Sequence, residues 1–122
     1  MGEGMAIQMR EEERGGVLLV TPLGRLDSNT SEDFGDKLFA RLDGGVRRLA
    51  IDMSGLDYVS SAGLRAFLLT AKKLQDMGGR MALGGMNPSV KQVFTLAGLL
   101  SIFTVEPDAA GAVARLTDEP RP

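Results

Sequence analysis

The 122-residue chain, 43% hydrophobic and 25% charged, has the makeup of one globular domain that buries roughly two thirds of the surface its unfolded form exposes. A net charge of −2 argues against general affinity for nucleic acid, which depends on Lys and Arg neutralising phosphates. Neither Cys nor His is present, which removes Cys–His and Ser–His–Asp nucleophilic sites and nearly all zinc chemistry except carboxylate-only ligation.

Residues 1–5 are expected to be loose. The opening stretch, MGEGMAIQMREEERGG, has acidic residues and no long apolar region, so it does not read as a secretory signal. A first strand is predicted near Ala6–Arg10, edged by the charged run Glu11–Arg14. Gly15-Gly16 reads as a hairpin turn into a second strand, Val17–Pro22. Gly24-Arg25-Leu26-Asp27 follows as a short strand or turn. Thr30 with Asp33 approximates a capping box for a helix whose buried face carries Phe34, Leu38 and Leu42 and which ends near Asp43-Gly44-Gly45.

Arg47–Met53 is a nearly continuous apolar run, as expected of a strand inside a sheet. A polar turn leads from it to Ser60-Ser61, where a helix begins that carries Leu64, Phe67, Leu68 and Ala71 and stops at Gly78-Gly79 after Met77. Arg80–Leu83 is the next strand, broken by Gly84-Gly85. Asn87-Pro88 is a good helix start, since Asn caps and Pro at the first helical position gives up no bond; Val90, Val93, Phe94 and Ala97 then repeat at helical spacing up to Gly98. Ile102–Val105 is predicted as a strand, and Pro107–Leu116 as a last helix burying Ala110, Val113 and Leu116, before a frayed tail at Asp118–Pro122. Strands alternating with helices from residue 47 onward imply parallel pairing, so a mixed sheet covered by helices is expected, in one domain with its core at about 6–116. The longest uncharged run, Gln92–Val105, is too short to span a membrane, and a cytoplasmic protein is expected.

The polar turn before Ser61 is where function is expected. N–H groups at a new helix start lack intrahelical partners, so a hydroxyl of Ser60 or Ser61 can simply cap them, or the site can accept a phosphate. Gly63 costs the helix roughly 1 kcal/mol against alanine, which points to close approach either by another part of the fold or by a partner. Asp27 and Asp52 each follow an apolar segment, and together at one sheet edge they could hold Mg²⁺ or act as acid and base, although capping and turn roles are the simpler reading. The paired glycines lack the spacing and following Lys of a phosphate-binding loop.

The run from Asp52 to Leu64, DMSGLDYVSSAGL, resembles the signature of STAS domains, specifically the stand-alone anti-sigma-factor antagonists of bacteria. Gly24-Arg25-Leu26-Asp27 with Thr30 matches the family's early turn, and Gly78-Gly79 followed by Met86-Asn87-Pro88-Ser89-Val90 matches its later strand and helix start. The likeness covers most of residues 17–105. It implies an α/β fold: a STAS-like mixed sheet with an antiparallel opening hairpin, parallel strands and about four covering helices. In the resemblance Ser61 falls on the serine that a partner kinase phosphorylates, Ser60 on a position that is often Asp, and Ala62 on one that is often Ser or Thr. The switch surface so implied comprises Asp27, Asp57, Tyr58, Ser60, Ser61, Ala62, Gly63 and Leu64. The family further implies a partner-switching cycle. Unphosphorylated antagonist binds an anti-sigma factor that is also a serine kinase, phosphorylation releases it, and a PP2C-type phosphatase restores it. ATP and Mg²⁺ would belong to the kinase, leaving this chain a substrate and binding module with no cofactor. The alternatives are an unphosphorylated STAS subunit that binds a transporter ATPase or a signalling scaffold, and a small nucleotide-binding or phosphate-hydrolysing protein using Asp27, Asp52 and the Ser60-Ser61 helix start.

Overall fold

Strand β1 (Gln8–Arg14) and strand β2 (Val17–Leu26) form the antiparallel hairpin, in register from Arg14 opposite Val17 to Gln8 opposite Leu23. The computed structural model describes residues 6–117, so the loose start at 1–5 and the frayed tail at 118–122 lie outside the described residues. Gly15 and Gly16 turn the hairpin with φ of 57° and 84°, values that other residues rarely adopt. The expected strand Ala6–Arg10 is displaced, and the charged run is itself strand. This is possible because β1 lies at the sheet edge, where the charged side chains reach solvent, pair with each other as Arg14 does with Glu12, or, for Glu11, meet the Arg41 guanidinium at 2.6 Å. Strand β2 is longer than expected and takes in Gly24–Leu26.

Helix α1 (Ser31–Asp43) buries Phe34, Leu38 and Leu42 as their spacing predicts. The capping box does not form. The Thr30 hydroxyl donates to the Arg25 carbonyl at 2.6 Å, while the Asp33 carboxylate accepts the Ile7 N–H at 2.8 Å and so ties the start of the chain to α1. Strand β3 (Arg48–Asp52) is followed by a single 3₁₀ turn, Met53–Gly55, and by strand β4 (Leu56–Val59), where the sequence suggests only a polar turn. Helix α2 (Ser61–Asp76), strand β5 (Arg80–Gly84), helix α3 (Pro88–Leu96), strand β6 (Thr104–Glu106) and helix α4 (Ala109–Thr117) complete the order.

The sheet runs β1-β2-β3-β5-β6, parallel from β2 onward. On the edge away from β1, ten-residue β2 serves two neighbours. Its Leu18–Val20 pairs with Leu49–Ile51 of β3, and beyond that point β4 takes over, with Gly24 opposite Leu56 and Leu26 opposite Val59. A shift of register between Gly24 and Arg25 accommodates the change.

Helices α1, α2 and α3 cover one face. Their core includes a chain of edge-to-face and tilted rings, Phe34–Phe67–Phe94–Phe103, with centroids 5.3, 5.8 and 5.8 Å apart. Helix α4 covers part of the other face, over Val17, Leu19, Ala50 and Ala82. It starts two residues later than expected, after Asp108, whose carboxylate accepts the Gly111 N–H at 2.7 Å. Ala112 and Leu116 are therefore buried, with Ala109 and Val113 packed beside them, and Ala110 faces out rather than in. Strand β6 is likewise moved from Ile102–Val105 to Thr104–Glu106, because Phe103 closes the ring chain while Ile102 stays 61% exposed.

Candidate functional site

The register of β2 and β4 builds the site. Pairing of Leu26 with Val59, continued by a 2.7 Å bond from the Ser60 N–H to the Leu26 carbonyl, brings the loop after β2 alongside the start of α2. Asp27 and the Ser60-Ser61 pair, more than thirty residues apart in sequence, thus lie next to each other at one end of the sheet.

The two serines differ in role. Ser60 is extended and half-buried, and its Oγ accepts the Gly63 N–H at 3.3 Å, which makes it the N-cap of α2. Ser61 is the first helical residue, exposed, and among the described residues its hydroxyl makes no hydrogen bond. The local chemistry of a cap and of an available hydroxyl is therefore split between neighbours.

Gly63 explains itself from within the fold. A Cβ there would lie 2.9 Å from Val59 Cγ1, 3.0 Å from Leu26 Cβ and 3.1 Å from the Leu26 carbonyl oxygen, so the glycine is what lets α2 sit directly on β2 and β4. Gly63 and Leu64 are buried, whereas Ser61, Asp57 and Tyr58 face solvent and Ala62 is half-buried. Of the eight residues implied by the resemblance, Gly63 and Leu64 hold the surface in place rather than present side chains to it.

The loop after β2 is pinned by one carboxylate. Asp27 Oδ1 accepts the Asn29 N–H at 2.9 Å and the Thr30 N–H at 3.2 Å, and the Asp27 carbonyl accepts the Ser31 hydroxyl at 2.6 Å. The Asn29 N–H chiefly, with Thr30 and the nearby Arg25, holds the Asp27 carboxyl below the usual carboxylate range. Arg25, opposite Tyr58 in the ladder, lays its guanidinium 4.3 Å from the Tyr58 ring centroid and 3.9 Å from the Asp27 carboxylate. Arg25 is a residue that sequence reasoning about the site passed over. Its sequence signal is its place in the Gly24-Arg25-Leu26-Asp27 turn, and its link to Tyr58 depends on strand pairing.

Asp52 is elsewhere. It pairs with Gly84 of β5 and directly follows Ile51, whose partner Val20 lies seven positions before Asp27 along β2, and its carboxylate accepts the Ser54 N–H at 3.0 Å and the Ser54 hydroxyl at 2.7 Å. The expectation that Asp27 and Asp52 share one sheet edge is therefore corrected, because β4 inserts between them. On the other side of Ser61, a groove between α1 and α2 is lined by Ser28, Glu32, Asp36, Ala62, Arg65 and Leu69 among others.

A helix-covered mixed sheet whose second strand is shared between β3 and β4, and which carries an uncommitted serine at the start of α2, defines a small α/β module of the STAS kind. The chain belongs to the STAS domain family, whose model matches residues 8–112. It is 40% identical over 99 residues to BtrV of Bordetella bronchiseptica, a protein with an anti-sigma factor antagonist name, covering 81% of this chain and 85% of that one. A Paenibacillus polymyxa protein named anti-sigma F factor antagonist is 28% identical over 117 residues, 92% of this chain and 97% of its own. Among solved structures, the anti-sigma factor antagonist SpoIIAA in its unphosphorylated form superposes with a TM-score of 0.77 at 22% identity over 93% of this chain and 100% of that one. Bacillus SpoIIAA has also been solved in a phosphorylated form, with a TM-score of 0.68 at 22% identity over 88% and 98% of the two chains. At these identities the SpoIIAA structures establish the fold.

Proposed function

We propose that this chain is an anti-sigma-factor antagonist that works by partner switching. Unphosphorylated, it binds an anti-sigma factor that is also a serine kinase, through the surface of Asp27, Asp57, Tyr58, Ser60, Ser61 and Ala62, and so frees a sigma factor. Phosphorylation of Ser61 ends that binding, and a PP2C-type phosphatase restores it. The chain is a substrate and binding module without a cofactor, and the cycle belongs in the cytoplasm. Among the described residues no helix is long and apolar enough to cross a membrane.

The observation that carries this reading is the division of labour at α2, where Ser60 caps the helix and leaves the Ser61 hydroxyl exposed and unbonded. Modification of Ser61 therefore costs the fold no cap. It would add roughly −1.5 to −2 charges beside exposed Asp57 and half-exposed Asp27, so a partner packed here meets both like-charge repulsion and the cost of desolvating a dianion. About 1.4 kcal/mol is enough for each tenfold loss of affinity. The antagonist names of the relatives supply the partner class.

The test compares binding to the kinase by wild type, Ser61→Ala, Ser61→Asp and authentic phosphoprotein. Wild type and Ser61→Ala bind alike, Ser61→Asp binds more weakly and the phosphoprotein weakest of all. Equal affinity of phosphorylated and unphosphorylated protein rejects the switch, and a partner held constitutively while Ser61 stays unmodified in cells would establish a scaffold in its place.

A further inference from the structure

Arg65 stands four positions after Ser61 on α2, so the two share one face of the helix with Cβ atoms roughly 5–6 Å apart. Among the described residues no ion pair or hydrogen bond engages Arg65, and its side chain lines the groove between α1 and α2. Arg25, the other cation described near this end of the sheet, is already stacked on Tyr58 and within 3.9 Å of Asp27. The remaining charged groups around the spot are acidic: Glu32 and Asp36 on α1 across the groove, Asp57 on β4 and Asp27 at the end of β2.

We propose that Arg65 is the intramolecular counter-ion of a phosphate on Ser61, an inference that rests on Ser61 being the phosphoacceptor. An anion one turn before its cation is the favourable order on a helix, and a planar guanidinium matches phosphate oxygens with two parallel N–H bonds. Phosphorylation then changes the partner surface twice. It adds a dianion at Ser61, and it withdraws the guanidinium from a groove whose other charged lining residues are Glu32 and Asp36. A partner that reads Arg65 in the unmodified protein loses that contact on modification. Arg65 is thus a positioning residue of the switch.

The experiment installs phosphoserine at position 61 by genetic code expansion, without any kinase, and follows the second ionisation of the phosphate by ³¹P NMR. In the wild-type background it falls about 0.3 of a pH unit or more below its value in Arg65→Gln, and Arg65→Lys recovers part of the difference. Arg65 is exposed, so neither variant removes core packing. Identical titration of wild type and Arg65→Gln overturns the proposal. Kinase affinities of the same samples separate this result from the switch itself. If phosphate leaves kinase affinity unchanged while the titration still depends on Arg65, the pairing stands and partner switching fails.

Discussion

Replacing Gly63 with alanine sets helix propensity against packing at the point that positions Ser61. Alanine gains the helix about 1 kcal/mol. The added methyl, however, would sit 2.9 Å from Val59 Cγ1 and 3.1 Å from the Leu26 carbonyl oxygen, closer than van der Waals contact allows. Neither neighbour yields easily. Val59 is β-branched and buried, and the Leu26 carbonyl is held by the Ser60 N–H at 2.7 Å, the bond that anchors the start of α2. Overpacking of this kind costs about 1–3 kcal/mol, and stretching the Leu26–Ser60 bond costs about 0.5–1.5 kcal/mol more. The net expectation for Gly63→Ala is a loss of about 0.5–3.5 kcal/mol. An unfolding entropy near 2.1 cal/mol/K per residue converts that to a Tm about 2–14 °C lower for this chain. Calorimetry or thermal circular dichroism reads it directly. A Gly63→Ala protein as stable as wild type, or more so, would refute the close-approach argument.

Asn87 offers a second local test, since its side chain accepts the Val90 N–H at 2.8 Å as the cap of α3 and donates to the Leu56 carbonyl of β4, also at 2.8 Å. Asn87→Ala removes both and is expected to cost about 1–3 kcal/mol in urea unfolding, while Asn87→Ser, which keeps a cap, costs less. Acid sensitivity follows from Asp27, Asp33 and Glu11, whose folded carboxyls all lie below their ordinary values, Asp27 through the Asn29 N–H, Asp33 through the Ile7 N–H and Glu11 through Arg41. With depressed folded values, their stabilisation is complete above the unfolded range near pH 4 and is lost as pH falls through the folded values. Thermal stability should therefore be flat from neutral pH to about 5 and decline below about 4, with a shallower decline in Asp33→Asn; a steeper one would contradict the assignment.

Much of the fold is legible because the signals are local. Phe34, Leu38 and Leu42 recur at the helical period, Gly15-Gly16 turns a hairpin, and Asn87-Pro88 starts a helix where it should. The misses share a cause. Glu11–Arg14 is too polar to announce a strand, yet an edge position tolerates it. Leu56–Val59 alternates poorly and is short, so β4 is invisible until β2 is found long enough to receive it. Thr30 and Asp33 have the residue types of a capping box, but the Arg25 carbonyl and the Ile7 N–H compete for them and win.

By itself the sequence determined the chemistry on offer: two adjacent hydroxyls, Ser60 and Ser61, at a helix start that either could cap, a glycine one turn inside the helix, and no Cys or His to build a nucleophile or zinc site. Those features depend on residue type and on spacings within a turn or two. Only the tertiary structure decided which groups become neighbours. Parallel pairing of β2 with β4 set Asp27 beside Ser60, stacked Arg25 on Tyr58 and moved Asp52 away. Such contacts join segments about thirty residues apart, and strand register, which no local period encodes, selects them.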